Sequence, residues 1–285
     1  MTLTDLRRRA GTVTALATAL VVLGAAPASA DTASASATAA SITLLGGSPA
    51  SSGAVTATHD GETGSTTGNP APALALLGSQ TLITSGTLVQ KAVANGDGTS
   101  AACSALVGAG GGVTIGADGS CLVAPGTGGV SLRLLGGALP VDVLADAISS
   151  RCTASSTGAT TAASSLVNAR VRTTTLTVPT VVPLASSPAV GAGLSVPGVA
   201  TLLLNGQTAP QGAGSVQVAA LSVSLLADGT RVDVATSTCG LNVATVAVPA
   251  VPLTGWTVVA GAVVAGWAVL AARWVRRRGV AVRTA

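Results

Sequence analysis

"SLVNARVRTTTLTV", residues 165–178, sets Val167, Ala169 and Val171 against Asn168, Arg170 and Arg172 in alternation. A period of two sends successive side chains to opposite faces of a pleated strand, so one face meets a core and the other meets water. "TRVDVATSTCG", residues 230–240, repeats the pattern, with Val232 and Val234 inward and Arg231 and Asp233 outward. Between such runs lie turn-forming clusters: "ANGDGTS", "GADGS", "APGTGG" and "NGQT". Long stretches of period 3.6 are confined to the two ends of the chain. The expected fold is all-β, a β-sandwich-like domain.

The start of the chain reads differently. Arg7, Arg8 and Arg9 form a basic head, and residues 13–23 form a short apolar core. Ala28-Ser29-Ala30 then offers the small-x-small pattern whose side chains fit the pockets of signal peptidase. Residues 1–30 are therefore expected to be a secretory signal, cut after Ala30, with an uncleaved anchor as the alternative. Residues 31–40, "DTASASATAA", are low in complexity and expected to be disordered or stretched out.

The far end is the mirror case. No charge falls between Trp256 and Ala272. At about 1.5 Å per residue a helix from Trp256 to Trp274 covers about 27 Å, close to a hydrocarbon core of roughly 30 Å. Trp256 and Trp274 suit the two interfaces, and Arg273, Arg276, Arg277 and Arg278 mark the cytoplasmic side. A transmembrane helix is expected over 256–275 and a basic tail over 276–285, with membrane lipid as the partner. These ends also explain the pI of 9.4. Residues 31–255 hold six basic residues and nine acids, for a net −3. The positive charge is thus topological, and a nucleic-acid partner is not expected.

Cys103, Cys121, Cys152 and Cys239 all fall in the exported stretch. An even count in an oxidising compartment favours disulfides, and three pairings are open. Cys103–Cys121 with Cys152–Cys239 is favoured, which the chain-entropy model values at about 3 and about 4.5 kcal/mol. Phe and Tyr are absent, and all three Trp lie in the C-terminal span. The core must rely on Leu, Val, Ile and Ala, and sugar- or base-stacking surfaces are not expected.

Residues that carry chemistry are few. His59 is the only histidine, within "ATHDGETG", and neither a G-x-S-x-G elbow nor an S-x-x-K pattern accompanies it. A solvated turn is the simpler reading, and no catalytic residue is assigned. The pairs Asp142/Asp146 and Asp228/Asp233 read as solvent-facing rather than as a glycosidase pair. The Gly-rich "VGAGGGVT" lacks the Lys and hydroxyl of a phosphate loop. Asp97 and Asp118 lack the spaced oxygens of a calcium loop, and one histidine without C-x-x-C completes no zinc set. No metal or cofactor is expected.

An echo runs through the exported part. "SITLLGG", "SLRLLGG" and "SVSLLADG" recur about ninety residues apart, the last two followed by V-D-V and then a cysteine. This suggests related strand pairs in two sheets, or subdomains at 41–128 and 129–242 within a domain 41–242. Residues 243–255 then form an Ala/Val/Pro linker.

Two resemblances complete the reading. Val251-Pro252-Leu253-Thr254-Gly255, an apolar span and arginines resemble the Leu-Pro-x-Thr-Gly sorting signal of Gram-positive surface proteins. The resemblance implies a sortase that cuts between Thr254 and Gly255 and passes Thr254 to peptidoglycan. Val251 stands where that family has Leu, and retention as a single-pass anchor is the equal alternative. "VSLRLLGGALPVDVLADAISSRCTASSTG" and "LSVPGVATLLLNGQTAPQGAGSVQVAALSVSLLADGTRVDVATSTCG" resemble the choice-of-anchor domains, P type, of actinobacterial surface proteins. That resemblance implies a common exported domain on a C-terminal anchor, with no enzymatic residues to carry over. The expected role is non-catalytic display or interaction at the cell surface. A secreted hydrolase and a membrane-retained ligand-binding ectodomain are the alternatives.

Overall fold

In "ASASATA", residues 33–39, Ala takes every odd position and Ser or Thr every even one, and Ala33, Ala35, Ala37 and Ala39 are buried. Of the two states expected for residues 31–40, the extended one is found. They form most of a long strand laid against a wall of other small side chains. A computed structural model describes residues 32–43, 50–60, 65–69, 82–134, 141–175, 178–227 and 229–243, with Leu270 and Arg273. The chain divides into two units, Ser29–Val246 and a second of Met1–Ala28 with Ala247–Ala285. The fold described below is that of the first.

Nineteen strands occur among the described residues. The first seven are β1 (Ala33–Thr43), β2 (Ala50–Ser51), β3 (Val55–His59), β4 (Ser65–Asn69), β5 (Ile83–Ser85), β6 (Thr87–Ala94) and β7 (Ser100–Val107). Next come β8 (Gly112–Ile115), β9 (Cys121–Ala124), β10 (Val130–Leu134), β11 (Val141–Ala145), β12 (Ala147–Ala154) and β13 (Thr160–Val167). The last are β14 (Arg170–Thr175), β15 (Val178–Pro183), β16 (Ala192–Val196), β17 (Ala200–Thr208), β18 (Val216–Leu225) and β19 (Arg231–Cys239). No helix occurs among the described residues of this unit. The fold is all-β.

One layer is a seven-stranded sheet in the order β16-β17-β18-β19-β1-β2, with β3 also on β1. The other is built from two five-stranded sheets, β15-β14-β11-β10-β5 and β13-β12-β7-β6-β4. The two are continuous through three strands, as β5 runs into β6, β11 into β12 and β13 into β14 after one or two residues. They are two halves of one creased layer. The crease passes through Gly86, Asp146 and Asn168, and Asn168 donates from Nδ2 to Asp146 Oδ2 at 2.5 Å. Gly86 (φ 130°) is required there, since a Cβ would stand 2.8 Å from Leu106 Cδ1.

The crease explains a difference from the alternation of residues 165–178. Leu166, Ala169 and Val171 are buried, while Val167 is only half-buried. Asn168 adopts φ 50° and ends β13, so the inward phase slips by one residue before β14 begins. Asn visits this left-handed region more readily than most side chains. The seven-stranded sheet has its own interrupted row. Pairing skips Ala39, Asn205, Ala220 and Ala235 while the register on either side is kept, and Asn205 and Ala235 have φ near 50°.

The main core holds the large aliphatics, among them Ile42, Leu88, Leu106, Leu132, Leu202 and Leu221. A second cluster is almost all Ala, with Cys152 and Cys239. The register sets Gln90, Ser104, Ser150 and Ser164 in one row across β6, β7, β12 and β13, all buried. Ser150 and Ser237 hydroxyls lie 2.7 Å apart, and Ser104 bonds to both. Ala39, dropped from the β19 ladder, donates its N–H to Gln90 Oε1 at 2.6 Å and to Ser52 Oγ at 3.0 Å. Buried donors are thereby satisfied within the fold.

Both halves of residues 41–242 enter the same sheets: β5 pairs with β10, β7 with β12 and β1 with β19. The stretch is one unit rather than subdomains meeting at 128/129. The echo survives as two hairpins in opposite layers, β10–β11 and β18–β19, with Arg133 opposite Asp142 and Ser222 opposite Asp233.

Candidate ligand groove

On β12 the core takes Ile148, Cys152 and Ala154, so period two turns Ser149, Arg151 and Thr153 to the outer face. The β8–β9 hairpin folds over part of that face. It packs Val113 and Val123 on Val89, Ala105, Val107 and Ala147, and Cys121 ties it to Cys103 of β7. On the other side lie residues 186–188 and β17. Asn205 Nδ2 donates to Pro188 O at 3.0 Å, and Gln207 Nε2 donates to Ala162 O at 3.2 Å.

A groove is left between hairpin and edge. Its first section, about 420 Å³, runs from Ser187 and Asn205 past Ser149 to Arg151. The next, about 260 Å³, runs from Arg151 past Thr153 to Asp118. The last, about 330 Å³, lies between the turns that carry Asp118 and Asp97. Sites for small molecules span roughly 300–1,000 Å³.

Arg151 is exposed and lines the first two sections. Ion pairs among the described residues join Arg133 and Arg172 to Asp142 and Arg231 to Asp233, and leave Arg151 without one. Ser164 Oγ, the one buried side-chain polar atom among the described residues without a hydrogen-bond partner, turns inward with Ser150 and Leu166, away from the face that carries Arg151. Asp118 accepts from the hydroxyl and N–H of Ser120, and Asp97 likewise from Thr99. Those bonds stabilise the ionised forms and hold both carboxyls below the usual aspartate range. Arg151 was not singled out from the sequence, and Asp118 was weighed there only as a calcium-loop residue. The one available signal was Arg151 itself, the only charge in β12.

A second polar face lies on β10, β11 and β14, where Arg133, Asp142 and Arg172 stand in one row. Asp142, expected to face solvent, is buried beneath the two arginines. Its Oδ1 is 3.3 Å from Arg133 Nε and its Oδ2 is 2.7 Å from Arg172 Nη2. Burial raises its pKa, but the hydrogen bonds and charges of Arg172 and Arg133 outweigh that and lower it overall. Asn168, Arg170 and Arg172 are exposed, as a wet sheet face requires.

His59 differs from the solvated turn expected of it. It is 6% exposed, lies in β3 opposite Ala33, and stands close to Gly96. Asp146 is half-buried at the crease, and Asp228 lies outside the described residues. Cys103 pairs with Cys121 and Cys152 with Cys239, the pairing favoured among the three open to the sequence. Among the described residues no group of three or more His, Cys, Asp or Glu could hold a metal ion.

Ala28, Ala30, Val251–Gly255, Trp256, Trp274 and Arg276–Arg278 lie outside the described residues, whereas Arg273 is helical and exposed. Among the described residues no helix is long and apolar enough to cross a membrane. No family model, curated protein or solved structure matches the chain.

Proposed function

We infer that this protein is a non-catalytic surface protein, exported by the signal ending at Ala30 and held to the envelope by its C-terminal end. The observation that carries the reading is that all four cysteines are paired, one bond joining the two layers and the other clamping the outer hairpin. Disulfides persist in oxidising compartments and are rare in the cytosol, where thiols are kept reduced. The leader, the apolar stretch 256–275 and the arginines that follow supply the matching topology. The same order of parts, and the segments quoted above, support membership of the choice-of-anchor proteins of actinobacterial type. The single histidine is buried in β3 and lines none of the three groove sections.

The test is made on intact cells. Added protease should remove residues 31–250, and freshly isolated protein should show no free thiol. Protection of that region, or four reduced cysteines, would overturn the reading. Mass spectrometry of the envelope form separates the two modes of attachment: a chain ending at Thr254 means sortase transfer to peptidoglycan, and one ending at Ala285 means retention in the membrane.

A further inference from the structure

We propose that the groove along β12 binds a short zwitterionic peptide, its carboxylate on Arg151 and its ammonium at Asp118. Arg151 has no ion pair among the described residues, yet it stands where two groove sections meet. A guanidinium grips a carboxylate through two parallel N–H donors, a geometry that selects carboxylates over neutral groups. Asp118 lines the same section at its far end and makes no ion pair with Arg151.

Their separation sets the length of the ligand. The Asp118 turn overlies Thr153, since a Cβ on Gly119 would stand 3.3 Å from Thr153 Cγ2. Thr153 is two residues from Arg151, about 7 Å along a strand. An extended peptide advances at the same rate, so two or three residues place opposite charges at both anchors. Ser and Thr hydroxyls and small side chains line the path between, which suits a backbone with small side chains. Capture of a peptide through its charged termini is an established mode of recognition.

This role goes beyond surface display and is tested on the purified full-length chain in detergent, so its failure is separate from a failure of the address. The probes are Ala-Ala, N-acetyl-Ala-Ala and the Ala-Ala amide, titrated by calorimetry or NMR. Ala-Ala should bind saturably with a Kd of about 1 mM or tighter. Each cap should weaken binding roughly tenfold or more, as expected for a lost charge-assisted contact. Arg151→Gln should abolish discrimination between the acid and the amide, and Asp118→Asn should abolish discrimination between the free and acetylated amine. The amide introduced by Asp118→Asn keeps an acceptor oxygen for Ser120, and Arg151 makes no ion pair among the described residues, so both variants should stay folded and melt cooperatively. No binding of Ala-Ala, equal binding of all three probes, or full discrimination by Arg151→Gln would each overturn the proposal. The capped probes on the wild-type chain decide the matter even if a variant fails to fold.

Discussion

Asp142 holds two guanidiniums together on an otherwise wet sheet face, and its position explains why a simple alternation rule misread it. The rule places Asp142 outward correctly, but cannot see that Arg133 and Arg172, on neighbouring strands, close over it. Cross-strand partners are set by register, which one strand's pattern does not contain. His59 was misread for the same reason: its burial depends on β1 and on the Gly96 turn, both distant in the chain. A consequence for stability follows. A carboxylate whose pKa is lowered in the folded state stabilises fully above its unfolded pKa, about 3.9, and loses that contribution as pH falls through the lower folded value. Asp142→Ala should cost about 1–2 kcal/mol at pH 7, the value of hydrogen bonds to charged groups reduced for half-exposed arginines. The gap between the thermal melts of wild type and variant should narrow as pH falls below about 3.9 and the wild-type carboxyl begins to protonate. An equal gap at pH 7 and pH 3 would place the effect in packing rather than charge.

At the scale of elements, strand identity was legible and strand breaks were not. Alternation marks β14 and β19 directly, and it is present in β1 as well, hidden because only Ala, Ser and Thr spell it. Such a strand looks featureless until its partners are known to be Ala57, Ala92, Ala102 and the Cys152–Cys239 bridge. The bends at Asp146 and Asn168 need only one or two residues each, too little to disturb a composition signal. The β8–β9 hairpin is the element whose attachment is most easily tested. It sits on a small cluster led by Val89 and Val107 and is tied by one bond across 18 residues. Cys103→Ala with Cys121→Ala should free it at a cost of about 3 kcal/mol or less. Brief proteolysis of the purified double variant should then cut within residues 108–129 and leave the remaining strands intact. Resistance equal to that of the wild type would show that Val113 and Val123 hold the hairpin unaided.

For the whole molecule, the decisive fact is how little large apolar surface holds the layers together at the Ala-rich end. The sequence announced a core without Phe or Tyr, but not that β1 would lie beside β19 and bring both ends of the domain into one sheet. Strand order depends on contacts across two hundred residues, and no local pattern encodes those. In the main cluster Leu, Ile and Val fill the space between layers, whereas in the second the layers meet through Ala and one disulfide. Ala buries little area, and apolar burial is worth about 25 cal/mol per Å². The Cys152–Cys239 bond closes 87 residues and joins β12 of one layer to β19 of the other. Its entropic contribution, about 4.5 kcal/mol, is a large part of the roughly 5–15 kcal/mol typical of a domain. Cys152→Ala with Cys239→Ala should therefore shift the entire denaturation curve, by fluorescence-independent probes such as far-UV dichroism, and not a local limb of it. If the double variant instead lost only protease resistance near residues 33–37 and kept its midpoint, the Ala cluster would be a peripheral annex. The aliphatic core alone would then set the stability of the fold.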